Sequence, residues 1–265
     1  MVGLLVAAAA LGAATPATIE APLPNADPAI FVVRDPDTTV YIFGTFHALD
    51  GKSEWFNGQV RTAFDNSSEL VLETLVPEAP KPFAPPPPRL GMTVAPSASF
   101  LATTRMAIDA GRSQGLKVNY GADMILREVA EASGKQVDGL ETLESQFNMF
   151  TKMPAPSSAP RPRAGDPVGE SPVESLSRSM VEMQDAWNRG DQAVFVRMLD
   201  QLRQASPDTY RMLFAERNAR WADWIAGRMQ TPGTVFVAVG AGHLAGRDSL
   251  LVRLAQLGIE SSRVN

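Results

Sequence analysis

The chain contains two histidines, and both close the same short pattern: Gly44-Thr45-Phe46-His47 and Gly240-Ala241-Gly242-His243. Each pattern follows an apolar, β-branched run, Val40-Tyr41-Ile42-Phe43 in one case and Val235-Phe236-Val237-Ala238-Val239 in the other. Such runs read as strands buried on both faces of a sheet. In open α/β sheets ligands bind beyond the carboxyl ends of the strands, so both imidazoles are expected at one crevice. Two carboxylates share this placement. Glu73 follows Leu70-Val71-Leu72, Glu141 follows the weaker run Val137-Asp138-Gly139-Leu140, and each precedes a threonine. An acid so close to an apolar strand is costly to bury alone and calls for a metal, an arginine or a hydrogen-bond network. A helix N-cap or a solvated loop is the plainer reading of either one. Taken together, two histidines and one or two glutamates make a mixed nitrogen and oxygen ligand set suited to Mn, Fe, Co or Zn. The spacing is long-range and lacks His-Glu-x-x-His, so it does not select zinc.

Several other chemistries are excluded or unsupported. With no cysteine in 265 residues, thiolate metal sites, cysteine nucleophiles and disulfide scaffolds are ruled out. The glycines of Gly240-x-Gly242-x-x-x-Gly246 follow a strand, but only 19 residues remain after Gly246, too few for the further strands of a dinucleotide crevice. Gly51-Lys52-Ser53 lacks the glycine that a phosphate loop needs five residues earlier, where Phe46 stands, and Gly111-Arg112-Ser113-Gln114-Gly115 does not follow an apolar strand-like run, which leaves phosphate loops and nucleophilic serine without a specific signal. The balance of 24 basic against 29 acidic residues, a net charge of −5, gives no basic face for nucleic acid.

The elements that must position these groups alternate in type, as in an α/β protein. Helical spacing appears at Phe56, Val60 and Phe64 after a possible N-cap at Ser53, and at Ile125, Val129 and Ala132 before Gly134. Asp123 opens the latter helix and is expected to be its N-cap, with a ligand role as the rarer alternative. From Val173 the pattern is continuously helical, through Leu176, Met180, Met183 and Trp187 to Gly190, then Val194 to Leu202. A further helix begins at Ser206-Pro207 and carries Leu213, Phe214, Arg217, Trp221, Trp224 and Ile225; its Met and Trp residues read as bundle core. A last helix is expected over about 248–257, ending at Gly258. Of 21 prolines, 8 fall in 77–96 and 6 in 154–172, so both stretches read as exposed loops. Pro85 to Pro88 reads as a stiff connector, with a polyproline ligand as the rarer alternative.

At the start of the chain, Val2 to Ala14 is an apolar run of secretory length followed by small residues, too short for the roughly 20 residues that span a bilayer. No Lys or Arg precedes it. Residues 1–17 are therefore expected to be a signal-peptide-like segment, the protein periplasmic or secreted, and 18–265 one domain with no membrane span and Pro-rich insertions at 77–96 and 154–172.

Five motifs in order resemble the TraB/GumN family, which also contains the Tiki-type proteases. They are Tyr41-Ile42-Phe43-Gly44-Thr45-Phe46-His47, Leu70-Val71-Leu72-Glu73-Thr74, Gly139-Leu140-Glu141-Thr142 with Gln146, Glu216-Arg217-Asn218 with Trp221, and Val239-Gly240-Ala241-Gly242-His243-Leu244 with Leu250-Leu251. The resemblance implies the α/β fold of erythromycin-esterase-like and ChaN-like proteins: a mixed, mostly parallel central sheet flanked by helices, with a helical segment between the two halves of the site. Tiki relatives are similar to metal-dependent peptidases using Mn or Co, which implies His47, Glu73 and His243 as metal ligands here. ChaN-like relatives bind haem iron instead. The two Pro-rich insertions depart from the family pattern and leave substrate access open.

The expected function is a metal-dependent, peptidase-like hydrolase acting on a peptide or amide in the cell envelope. Glu141 is the candidate general base or fourth ligand. Arg217, on a helix face with Leu213, Phe214 and Trp221, either stabilises a developing oxyanion or forms a structural ion pair with Glu73 or Glu141. The alternatives are a non-catalytic protein that sequesters a peptide, haem or envelope component, and an accessory protein of polysaccharide assembly that works through its Pro-rich loops.

Overall fold

The computed structural model describes residues 23–75, 98–152 and 171–264. The expected leader, the stretch 77–96 with Pro85 to Pro88, and nearly all of 154–172 lie outside the described residues. The strands are β1 (Ile30–Arg34), β2 (Thr38–Thr45), β3 (Glu69–Thr74), β4 (Gln136–Glu141), β5 (Gly233–Gly240) and β6 (Ser262–Arg263). They form one sheet in the order β4-β3-β5-β2-β1-β6. Strands β4, β3, β5 and β2 run parallel, while β1 pairs antiparallel with β2 and β6. This is the mixed, mostly parallel α/β sheet that the sequence implied.

Register decides what meets at the sheet's edge. Thr45 of β2 lies opposite Gly240 of β5, Leu72 of β3 opposite Ala238 of β5, and Thr74 of β3 opposite Glu141 of β4. Because the four strands are parallel, their carboxyl ends lie side by side. His47, His243, Glu73 and Glu141 therefore leave adjacent strands at one edge.

The helices are α1 (Gly58–Asp65), α2 (Ala98–Ser113), α3 (Ala122–Ala132), α4 (Leu143–Thr151), α5 (Pro172–Asn188), α6 (Ala193–Ala205), α7 (Pro207–Tyr210), α8 (Glu216–Arg228) and α9 (Leu250–Gln256). Alternate residues of the central strands feed two cores. Phe43, Leu70, Leu72, Phe236 and Ala238 pack with Phe64, Leu126, Trp187 and Phe195 on one face. Val40, Ile42, Val71, Val235, Val237 and Val239 pack with Trp221, Ile225, Leu250 and Leu254 on the other. Two-sided burial is why these strands read as unbroken apolar runs.

Several local expectations are corrected. Helix α1 starts at Gly58 after Asn57, while the hydroxyl of Ser53 instead donates to Asn188 Oδ1. Gly121, and not Asp123, occupies the N-cap of α3. Pro172 is the first residue of α5 and not loop: Ser171 accepts from the Glu174 N–H and Glu174 accepts from the Ser171 N–H, a capping box that favours proline at this position. The helix from Pro207 does not run evenly, because Arg211–Ala215 forms a π-helical turn between α7 and α8. Strands β1 and β6 and helices α2 and α4 had no sequence expectation.

The ring of Phe236 sits between Phe43 and Phe64, with centroids 5.8 and 5.5 Å away, and is fully buried. Phe236→Ala is expected to lower stability in urea unfolding by about 3–5 kcal/mol, the usual cost of a core cavity of this size. Leu257→Ala, at a position 48% exposed, should change it by less than about 0.5 kcal/mol.

Candidate functional site

Helix α8 buries Arg217, Asn218, Trp221, Ala222 and Ile225, a spacing that lays one stripe against the sheet and its edge. Arg217 is 5% exposed and sits at the centre of a polar cluster. Its Nη2 donates to Glu73 Oε2 at 2.8 Å, its Nε donates to both Glu141 oxygens at 3.1 Å, and its Nη1 lies 3.2 Å from His243 Nε2. The guanidinium carbon stands 4.5 Å from the Trp221 ring centre. Burial works against this charge, but the two carboxylates more than offset it and push the Arg217 pKa above its usual value. Both structural pairings open to Arg217 are thus made at once. Glu141 is nearly buried, with both oxygens on Arg217 Nε, and its Oε1 also accepts from Arg220 Nη2 at 3.2 Å. It is the counter-ion of this arginine.

Glu73 is shared between elements. Its Oε2 faces Arg217, and its Oε1 accepts from the Gly240 N–H at 2.6 Å and lies 3.6 Å from His243 Nε2. Burial opposes its ionisation, but His243 when protonated, Arg217, His47 and the Gly240 N–H together hold its pKa at about 2.

The two histidines have opposite surroundings. His243 is 4% exposed, with its ring centre 4.4 Å from that of Trp221 and 4.9 Å from that of Phe214. Burial pushes its pKa down to about 4, against the pull of Glu73 and with help from Arg217, so it is neutral near pH 7. The His47 imidazole is 64% exposed, and its Nδ1 lies 3.1 Å from Asp123 Oδ1. That hydrogen bond, with the charges of Asp123 and Glu73 and despite the cost of desolvation, raises the His47 pKa to about 9. Asp123 reaches His47 because the chain before α3 is clamped to the His47 loop. The Ala122 N–H donates to Phe46 O, and a methyl group on Gly121 would fall 2.3 Å from the His47 carbonyl oxygen. No other residue fits at 121 without moving that loop.

One further glycine shapes the centre. A methyl group on Gly240 would lie 3.1 Å from Glu73 Oε1, 3.7 Å from His243 Cδ2 and 3.8 Å from His47 Nε2. The absent side chain leaves a space at which a carboxylate and both imidazoles converge.

Convergence alone does not make a metal site. Among the described residues no group of three or more His, Cys, Asp or Glu side chains is arranged to hold an ion. The donor chemistry gives the reason: His243 Nε2 and Glu73 Oε2 already face Arg217, whose positive charge stands where a divalent cation would compete for the same lone pairs. As built, the resident guanidinium engages His243 Nε2 and Glu73 Oε2, while Glu73 Oε1 and His47 Nε2 border the space over Gly240.

The structure brings His47, Glu73, Glu141, Arg217 and His243 together, and adds three further residues. Asp123 touches His47, Asn218 touches His243, and Gly240 opens the space between them. Asn218 was visible next to Arg217 in the Glu216-Arg217-Asn218 motif. The link from Asp123 to His47 spans 76 positions and carries no local signal.

With only two histidines, proton NMR can follow each ring. Metal-free protein should show one imidazole titrating near 9 and the other near 4, and Asp123→Asn should bring the first down towards its ordinary 6.5. The linked stabilities have opposite signs. The part from His47 is full below pH 6.5 and is lost as pH rises through about 9. The part from neutral His243 is full above pH 6.5 and is lost as pH falls through about 4.

Among curated proteins and among solved structures, nothing matches the chain. No helix among the described residues is long and apolar enough to cross a membrane. The family described as TraB/PrgY/gumN matches residues 29–84 and 89–263, which include every residue of the cluster around Arg217, and the chain belongs to that family.

Proposed function

We propose that the protein is a hydrolase acting on an amide or related acyl bond of a peptide or small-molecule substrate, with His47 as the group that moves protons. The space over Gly240 carries this reading, because it lies between a fixed carboxylate and an exposed imidazole whose far nitrogen is held by Asp123. A water there lies against Glu73 Oε1 and His47 Nε2. As its oxygen attacks the acyl carbon, the water gives a proton to Nε2 of His47 in its neutral form, the form that grows as pH rises towards about 9, and the carbonyl electron pair moves onto oxygen. The C–N bond then breaks, and His47 returns the proton to the leaving nitrogen. Asp123 orients the ring through Nδ1 and supports its charged form. Arg217 is a fixed, desolvated positive charge beside the developing oxyanion, and Glu141 keeps that charge in place.

A divalent ion, Mn, Co, Fe or Zn, on His47, Glu73 and His243 is the second reading of the same residues. The convergence of their side chains over Gly240 favours it, and it requires Arg217 to withdraw from His243 Nε2. The apolar run from Val2 to Ala14 supports placing the activity in the periplasm or outside the cell.

The test is turnover of quenched fluorescent peptides and acyl esters by protein purified without chelator, with metal content read by mass spectrometry. Turnover should fall on the order of 10²-fold or more in His47→Ala. Gly240→Ala should also abolish it while leaving the fold intact, since its methyl group fills the space. Turnover that survives chelation fits Arg217 as the working cation, whereas about one equivalent of metal that disappears in a His47→Ala/His243→Ala variant would establish the ion. Binding of a peptide, haem or envelope component without any turnover would replace the hydrolase reading with the sequestering one.

A further inference from the structure

Asn218 is 1% exposed, and both ends of its amide are engaged. Its Nδ2 donates to the backbone carbonyl of Asp248 at 2.7 Å, and its Oδ1 lies 2.6 Å from His243 Nδ1. A carbonyl oxygen can only accept, so the nitrogen end of this amide must face Asp248 and the oxygen end must face the ring. An amide oxygen is likewise only an acceptor, so the ring nitrogen facing it must carry the hydrogen. The anchor is itself held: Tyr210 Oη donates to Asp248 Oδ2 at 2.9 Å, and Arg253 Nη2 donates to Asp248 Oδ1 at 2.7 Å.

We propose that Asn218 is a positioning residue that locks His243 in the Nδ1–H tautomer, so that a bare Nε2 lone pair always faces the cation of the site. In the structure that cation is Arg217, whose Nη1 donates to Nε2 while its Nη2 donates to Glu73. With the other tautomer, an N–H would point at the guanidinium, and donor would meet donor. The lock thus fixes the direction of Arg217, and the rings of Phe214 and Trp221 fix the plane of the imidazole. Histidines at catalytic centres commonly have their tautomer set by the partner of the ring nitrogen that does not act. The inference depends on the surroundings of His243 and not on the reaction, and it holds for either cation.

The experiment is long-range proton–nitrogen correlation NMR on the full chain labelled with 15N-histidine, with the His47 signals identified in His47→Ala. Wild type should show His243 as one species with a protonated Nδ1 and a bare Nε2. Asn218→Leu, of similar volume but without the acceptor, should lose this preference and populate both tautomers. Asn218→Asp, which keeps an acceptor at Nδ1, should retain it. Wild-type His243 carrying its proton on Nε2 would overturn the proposal even if neither variant folds. A folded Asn218→Leu with the tautomer unchanged would overturn it too. Absence of hydrolysis by the wild type bears on the proposed reaction alone and leaves this result intact.

Discussion

A guanidinium withdrawn from water must find acceptors in every direction it points, and the centre of this protein is arranged around that demand. Arg217 takes one carboxylate from the end of β3, one from the end of β4 and a neutral imidazole from just beyond β5. Removing either carboxylate would leave a buried charge under-compensated, which in other proteins costs about 3–5 kcal/mol. The same demand makes the two glutamates tolerable where the sequence places them, against apolar strands. It also separates the histidines. One is enclosed by aromatic rings and kept neutral beside the cation, while the other stands exposed and is drawn towards its charged form by Asp123.

The sheet makes this possible through register and not through flexibility. Three parallel pairings bring the ends of β4, β3, β5 and β2 into line, so each contributes one group or its neighbour without a long loop. The fourth side is supplied by α8, whose buried stripe includes Arg217, Asn218 and Trp221. The π-helical turn before it offsets the register of the helix by a residue, and both Phe214, within that turn, and Trp221, beyond it, reach the His243 ring.

Much of this was legible in the sequence, and for identifiable reasons. The central strands are buried on both faces, so their apolar runs are unbroken, and the groups just after them had to lie at the sheet's edge. The helix carrying Arg217 shows its face through spacing alone. Strand β1 also has an apolar run, Ile30-Phe31-Val32-Val33, but lies close to β2 and is joined to it by a tight turn, which merges the two signals. Helix α2 directly follows a Pro-rich stretch that hides its start. Asp123 was read as a cap because aspartate at a helix start usually is one. Its actual partner is set by the packing of Gly121 on the His47 loop, which no local pattern encodes. The pairing of Arg217 with Glu73 or Glu141 was one of the two roles open to it from its helix face; that it makes both pairings, and reaches His243 Nε2 as well, depends on three strand ends that only the fold brings together.

The order of the strands also constrains when this centre can come into being. Strands β2 and β3 follow each other in the chain yet never touch; β5, which begins at Gly233, is the strand that joins them. A nascent chain that has passed α8 therefore has both glutamates, Arg217 and His47 but no continuous sheet to hold them. Closure waits for one late, long-range insertion, a step of the kind that slows folding. A chain cut short before β5 would have most of the side chains of this cluster and none of their geometry. The cluster around Arg217 thus takes shape only once β5 has entered the sheet.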